Sequence, residues 1–237
     1  MYTLYRLAGR PCKIIRRANR FVVEVEQGGA RRRAYINNTG RLREYLVEGR
    51  TGYCHPHRRP GRTELRLFAV EDAGAAALID TQYQMRALEV AVERGLIPWL
   101  RGCRVARRNP RLGSSVLDYL LDCPGGQLYV EVKSAALRSG DYAAYPDCPT
   151  LRGRRHIREL IENRGRTALV FIAAIPGAKA FTPYEQGDPL VAELIAEAAQ
   201  AGVIVKAIGL YYDPRSGAVV LYSPDLPVVL SGRAATS

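Results

Sequence analysis

Lysine is nearly missing: the chain holds 35 basic residues, and only Lys13, Lys133, Lys179 and Lys206 are lysine, the rest being arginine. Asparagine is rare too, a bias that fits a hot habitat or GC-rich coding equally well and excludes no fold. No CxxC pair occurs among Cys12, Cys54, Cys103, Cys123 and Cys148, which rules out a zinc ribbon or finger. These five read as buried thiols, with intracellular disulfides of the hyperthermophile kind as the alternative. Long apolar runs are also lacking. The longest, "ALVFIAAIPGA", is too short to cross a bilayer and reads as a buried strand. The opening "MYTLYRLAGRPCK" has no continuous apolar segment of the secretory kind, so a cytoplasmic protein without a membrane partner is expected. No internal repeat is present, which excludes a solenoid or propeller.

What is there describes a globular chain. Its 237 residues, 47% hydrophobic and 24% charged, suffice for one large domain or two small ones, each with a core. The net charge of +12 is unevenly spread. Residues 1–67 carry 16 Lys and Arg against 5 Asp and Glu, whereas residues 68–237 carry 19 against 18. The basicity therefore belongs to the N-terminal part. Either it meets a polyanion such as nucleic acid, releasing counterions, or it is a solvated surface.

From Lys13 to about Val70 the text is strand-like: "FVVEVE", a "QGGA" turn, "RRRAYI" and later "ELRLFAV". Several short strands with no helical period predict an OB-like β-barrel over residues 1–72. Its outer strands would offer Arg16, Arg17, Arg20, Arg31, Arg32 and Arg33 to a phosphate backbone, with Tyr35 as a stacking platform. "CHPH" at Cys54 to His57 is expected to be loop rather than a metal cluster.

"EDAGAAA" reads as a linker near Val70 to Leu78, and residues 73–237 then alternate helices with strands, an α/β domain. "TQYQMRALEVAVERG" is helical, with Met85, Leu88 and Val92 on one face, Thr81 as N-cap and Gly95 closing it. Strands follow near 103–108, 114–122 and 127–134; "TLRGRRHIRELIENRG" and "DPLVAELIAEAAQAG" are further helices, "TALVFIAAI" and "VIVKAIGLYY" further strands.

The chemistry concentrates in "SSVLDYLLDCPGGQLYVEVKS". Cys123-Pro124-Gly125-Gly126 has the composition of a two-residue type II turn. Antiparallel partners then sum to 249, and Asp118 faces Glu131, sharing a side of the hairpin with Lys133. Like charges opposed across strands are destabilising, and a divalent cation with oxygen ligands would offset them. A neighbouring lysine suits the charge that develops on a phosphate. An ExK alone is most often a surface ion pair, but apolar residues flank this one on both strands.

These residues carry a resemblance. "IIRRANRFVVEVE", "NNTGRL", "SSVLDYLL", "YVEVKSAAL" and above all "AYPDCPTLRGRRHIREL" are similar to the SfsA family of sugar fermentation stimulation proteins, over nearly the whole chain. The resemblance implies an OB-like barrel followed by a restriction-endonuclease-like domain of the PD-(D/E)xK type with a central mixed sheet. It implies DNA binding, a Mg²⁺-dependent (or Mn²⁺-dependent) nuclease activity, and a link to regulation of sugar use. Carried over by residue, it gives Asp118, Glu131 and Lys133 as catalytic, and Asp118, Glu131 and Val132 as metal ligands. The family also places an acid on the helix before the nuclease strands. Val90 holds that position here, with Glu89 one residue off and about 100° round the helix, and Glu89 is the candidate that remains. Val116 stands where the family has arginine. On the helix after the active strands, Arg152, Arg155 and His156 are expected to contact the nucleic acid or orient the site.

Two functions remain open at this point: a metal-dependent nuclease, or a DNA-binding protein of regulatory type that cleaves weakly or not at all. DNA or RNA, monomer or homodimer, are equally open, and phosphate contacts imply no sequence preference.

Overall fold

The computed structural model describes residues 1–57 and 61–230. In chain order the strands and helices are β1 (Tyr2–Arg6), β2 (Arg10–Asn19), β3 (Val22–Gln27), β4 (Ala30–Tyr35), β5 (Thr51–Pro56), β6 (Leu65–Asp72), β7 (Ala75–Ala77) and α1 (Thr81–Glu93). There follow β8 (Arg104–Arg108), the short hairpin β9 (Arg111–Leu112) and β10 (Ser115–Val116), then β11 (Tyr119–Cys123) and β12 (Gly126–Ala135). The remainder is β13 (Leu137–Ser139), β14 (Tyr142–Tyr145), α2 (Leu151–Glu162), β15 (Thr167–Ala173), β16 (Ala180–Pro183), α3 (Pro189–Gln200), β17 (Ile204–Asp213) and β18 (Ala218–Leu226).

Strands β2 to β6 make the expected barrel. β3 and β4 join through Gly28 and Gly29, at φ 63° and 75°, the two left-handed residues that a tight hairpin requires. The barrel closes where β4 runs parallel to β6, Ala34 opposite Leu65. The architecture is the mixed α/β one expected, an OB-like barrel followed by a domain with a central mixed sheet and three helices. In that second domain β12, β15 and β17 are parallel, while β11 and β8 extend the sheet antiparallel on one side.

Several local expectations are corrected. The segment read as a linker is a two-residue hairpin, with Ala73 and Gly74 both at positive φ, and β7 carries the barrel's ladder on to β17. The barrel and the sheet of the second domain are thus one continuous surface of hydrogen bonds. β1 is not part of the barrel but pairs with β18. Cys54, His55 and Pro56 lie in β5 rather than in a loop, because Cys54 is a core residue of the barrel and Pro56 ends the strand. Met85 is only half-buried; Ala87, Leu88, Ala91 and Val92 form the inner face of α1.

The N-cap of α1 is Asp80, not Thr81. Its carboxylate accepts from the N–H groups of Gln82 and Tyr83, is fully buried, and also pairs with Arg66 of the barrel at 2.6 and 2.8 Å. Asn37 donates to it as well, at 3.0 Å. One side chain therefore caps a helix of the second domain and ties it to two barrel segments.

Cys103, just before β8, and Cys123, ending β11, form a disulfide, because β8 and β11 pair antiparallel with Arg104 opposite Asp122. Cys12 and Cys54 remain buried thiols and Cys148 a half-buried one. Among the described residues no helix is long and apolar enough to cross a membrane.

Two stability outcomes follow. Asp80→Ala removes the cap and leaves Arg66 unpaired, and should cost about 3–5 kcal/mol in urea unfolding; a loss under 1 kcal/mol would mean the junction does not depend on it. The disulfide closes a loop of 20 residues. Its reduction should lower the unfolding free energy by about 3 kcal/mol, and Cys123→Ser should reproduce the loss and no longer respond to reductant.

Candidate active site

The site is assembled on the β11–β12 hairpin. Tyr119 faces Val130 and Cys123 faces Gly126, the register expected, with Pro124 and Gly125 between them. The turn is not type II, however: the positive φ falls on Gly126, at 113°, and not on Gly125. Asp118 sits one residue before β11, where the ladder ends, and its Oδ2 accepts the N–H of Val132 at 2.7 Å. The carboxylate thus completes the strand pairing that the backbone leaves unfinished.

Along β12 the side chains alternate. Val130 and Val132 pack on the α1 side, with Leu88, Val92 and Tyr119. Tyr129 and Ala135 pack on the other side, with Ile157 and Leu160 of α2. Glu131 and Lys133 share that second face. Glu131 is only 3% exposed. Its Oε1 accepts from Lys133 Nζ at 2.6 Å and from His156 Nδ1 at 2.5 Å, while Oε2 is buried with no partner among the described residues. Arg152 Nε donates to His156 Nε2 at 3.3 Å, so the ring proton is assigned to Nδ1 and aimed at Glu131. His156, 1% exposed, is therefore not a nucleic-acid contact; it orients Glu131, because the apolar face of α2 turns it inward.

The two acids titrate apart. Burial, then the neighbouring Glu131 charge, pushes the Asp118 carboxyl up to about 6. Burial would raise Glu131 as well, but Lys133 and His156 outweigh it and hold Glu131 below the usual carboxylate range. Lys133 is buried, yet the pull of Glu131 keeps its ammonium above its ordinary value. Each acid engages one oxygen, and Asp118 Oδ1 and Glu131 Oε2 have no hydrogen-bond partner among the described residues.

That donor set suits a hard cation. Mg²⁺ takes one or two carboxylates and keeps several waters, and the main chain of Val132 lies between the two acids. Among the described residues no group of three or more His, Cys, Asp or Glu side chains is gathered at one point, so main-chain oxygen and water would have to supply the remaining ligands. Glu89 does not join. It lies on α1, across the sheet, bound to both guanidinium nitrogens of Arg108 at 2.7 Å and to the Tyr119 hydroxyl at 2.8 Å. Since Tyr119 points to the α1 side, the sheet itself separates Glu89 from Asp118.

The expected nucleic-acid residues are scattered and largely engaged. Arg16 and Arg31 both pair with Glu24, and Arg32 with Glu64. Arg17 donates to the carbonyls of Arg20 at 2.8 Å and Arg41 at 2.9 Å, so it holds the "NNTGRL" loop together rather than facing a ligand. Tyr35 stacks face to face on His57. Arg20 and Arg33 make no ion pair among the described residues, and Arg155 none on α2.

The most specific sequence blocks meet beside the site. Asp147 Oδ2 accepts from the N–H of Leu42 at 2.9 Å, and Gly40 is required there, since a Cβ would fall 2.7 Å from that oxygen. Between them opens a cleft of about 300 Å³ whose lining includes Arg20, Asn38, Ser134, Tyr145 and Thr150. Tyr145, absent from the expected set, faces Lys133, and burial raises its hydroxyl. The "AYPDCPTLRGRRHIREL" block was the signal for both Tyr145 and the inward role of His156.

The chain is similar to known proteins over most of its length. Residues 15–79 match the SfsA N-terminal OB domain and residues 82–216 the sugar fermentation stimulation protein RE domain. The sugar fermentation stimulation protein homologue of Pyrococcus furiosus is 50% identical over 206 residues, 86% of this chain and 89% of its own length. That of Archaeoglobus fulgidus is 50% identical over 221 residues, 92% and 95%. The structure of Pyrococcus furiosus SfsA in complex with Ca²⁺ is 45% identical, with a TM-score of 0.91, covering 97% of this chain and 100% of that one.

The raised Asp118 carries a pH signature. The folded chain holds this proton up to about pH 6. The unfolded chain releases it near 3.9. Stability should therefore fall as pH climbs between those values and stay reduced above. In chelator at pH 7.5, Asp118→Asn should be more stable than the unaltered protein by about 2 kcal/mol, and the gain should vanish at pH 4. Mg²⁺ should raise the melting temperature of the unaltered protein only; a variant no more stable at either pH would count against the buried charge.

Proposed function

The chain belongs to the sugar fermentation stimulation (SfsA) family, and from that premise we propose that it binds nucleic acid and hydrolyses a phosphodiester with Mg²⁺ or Mn²⁺. One observation carries the reading: the buried Glu131 and the half-buried Asp118 each keep one oxygen unengaged beside the largely buried Lys133. The Ca²⁺ complex of the Pyrococcus furiosus relative supports it, since Ca²⁺ and Mg²⁺ both take oxygen ligands.

In this reading Asp118 and Glu131 hold the cation, with the Val132 carbonyl between them. A bound Mg²⁺ would supply Lewis-acid neutralisation of the scissile phosphate. His156 fixes the Glu131 carboxylate so that Oε2 faces the site. Lys133 presents the ammonium that stabilises charge developing on the phosphate oxygens. The barrel, β2 to β6, and the nuclease-like part that follows it would engage one substrate together, DNA or RNA, without sequence preference and in the cytoplasm.

A second reading has its own support. Among the described residues no third acid joins Asp118 and Glu131, and Lys133 is committed to Glu131 at 2.6 Å. That arrangement fits a DNA-binding protein without turnover, one acting in regulation of sugar use.

Incubation of the purified protein with single- and double-stranded DNA and RNA, with and without Mg²⁺ or Mn²⁺, separates the two. Cleavage that drops by roughly 10²-fold or more in Asp118→Ala and Lys133→Ala supports the nuclease. Products unchanged in both variants would trace to a contaminant, and binding without products favours the second reading.

A further inference from the structure

Charge counts by segment concealed where the unpaired charge lies. The stretch "RGCRVARRNPR", residues 101–111, contains five arginines and no acid, inside a region whose net charge is nearly zero. Arg104 pairs with Asp122 and Arg108 with Glu89. Arg107 and Arg111 are exposed and make no hydrogen bond or ion pair among the described residues. Three of the basic barrel residues, by contrast, are held by Glu24 and Glu64.

The unpaired arginines border the site. Arg107 lies opposite Leu120, on the face away from α1, whereas Arg108 next to it turns to Glu89 on α1. The N–H of Asn109 donates to the carbonyl of Asp118 at 3.0 Å, which brings the end of β8 against the site. Arg111 opens the β9–β10 hairpin opposite Val116. That hairpin is pinned to α2 because Glu159 accepts from the N–H and hydroxyl of Ser114, at 3.2 and 3.0 Å. Arg155 is one turn before Glu159, exposed and without an ion pair among the described residues. Arg107 and Arg111 from the sheet edge and Arg155 from the helix thus flank the same approach to Asp118 and Glu131.

We infer that this edge, formed by β8, the β9–β10 hairpin and α2, is the principal phosphate-contacting surface, and that the salt-bridged arginines of the barrel strands, Arg16, Arg31 and Arg32, are not. The inference rests on the nucleic-acid reading proposed above and adds where the backbone runs. Counterion release needs cations whose charge is not already matched, and the matched ones here are Arg16, Arg31 and Arg32. Arginine on an exposed edge strand also blocks unwanted strand pairing. That role alone would leave binding indifferent to these side chains.

The test is the salt dependence of binding to mixed-sequence duplex DNA in EDTA, where no cleavage intervenes. Each lost phosphate contact should lower the slope of log K against log salt by about 0.9, so Arg107→Ala with Arg111→Ala should lower it by nearly 2. Replacing both with lysine should restore it, and Arg31→Ala with Arg32→Ala should leave it unchanged. Exposed side chains without partners give little reason for misfolding, and unchanged thermal midpoints would verify that. A slope that falls in the barrel variant and not in the edge variant overturns the inference, as does one insensitive to both. Absence of binding by the unaltered protein would remove the nucleic-acid reading itself.

Discussion

The two-residue period of β12 decides what this molecule can do. Because adjacent side chains leave a strand on opposite faces, Val130 and Val132 go to the α1 layer while Glu131 and Lys133 go to the α2 layer. Every later placement inherits that division. Asp118 reaches the site because it sits one residue from Tyr119, whose ring goes the other way; His156 reaches it because α2 covers that face. Glu89 fails to reach it for the same reason, however its helix is rotated, since a sheet stands between. A slip of one residue in the hairpin would exchange both sets and bury the charges against α1.

The second constraint is that the barrel and the sheet of the second domain are not independent bodies joined by a tether. One apolar cluster contains Ile14, Val23 and Leu67 of the barrel together with Ile157, Leu160 and Val191 under α2 and α3. The β6–β7 hairpin carries the ladder across, and Asp80 links Arg66 and Asn37 to the cap of α1. The loop carrying Gly40 is consequently held against Asp147 near Tyr145 and Ser134, so a barrel segment helps form the wall of the cleft beside the candidate site.

Much of this was legible in the chain. The register followed from Pro124-Gly125 because a two-residue connection leaves one pairing consistent with apolar flanks, although the left-handed residue proved to be Gly126. The barrel followed from short alternating strands and Gly28-Gly29. What was hidden depends on distant partners. The Cys103–Cys123 bond needs β8 beside β11, and Asp80 outcompetes Thr81 as cap because Arg66 and Asn37 come from the barrel to hold it. Net charge by segment was the least transferable quantity, since it counts arginines whether or not a carboxylate from the next strand matches them. The side of the sheet that Glu89 occupies was likewise unreadable, because helical phase fixes a residue's angle on its helix but not which face of the sheet the helix covers.

The buried acids elsewhere in the chain supply the comparison by which the site is judged. Asp80 has both oxygens on Arg66, Asp188 both on Arg154, and Asp72 both on Arg138. Glu159 likewise engages Ser114 and Asn163. Each of these four is closed, which is what full burial of a carboxylate for structure demands, while the half-buried Glu44 also keeps one oxygen without a partner among the described residues but lacks the paired acid and lysine of the site. Glu131 is as deeply placed and Asp118 is half-buried, yet both are half engaged, with Lys133 and His156 gathered on one oxygen of Glu131 and only the amide of Val132 on Asp118. A pair built only to stabilise the hairpin would have shared the lysine between the two acids. Leaving Asp118 uncompensated makes the fold less stable at neutral pH, and such a penalty persists where a charge from outside the chain completes the group. A divalent cation has the charge, the oxygen preference and the low demand for protein ligands to do so.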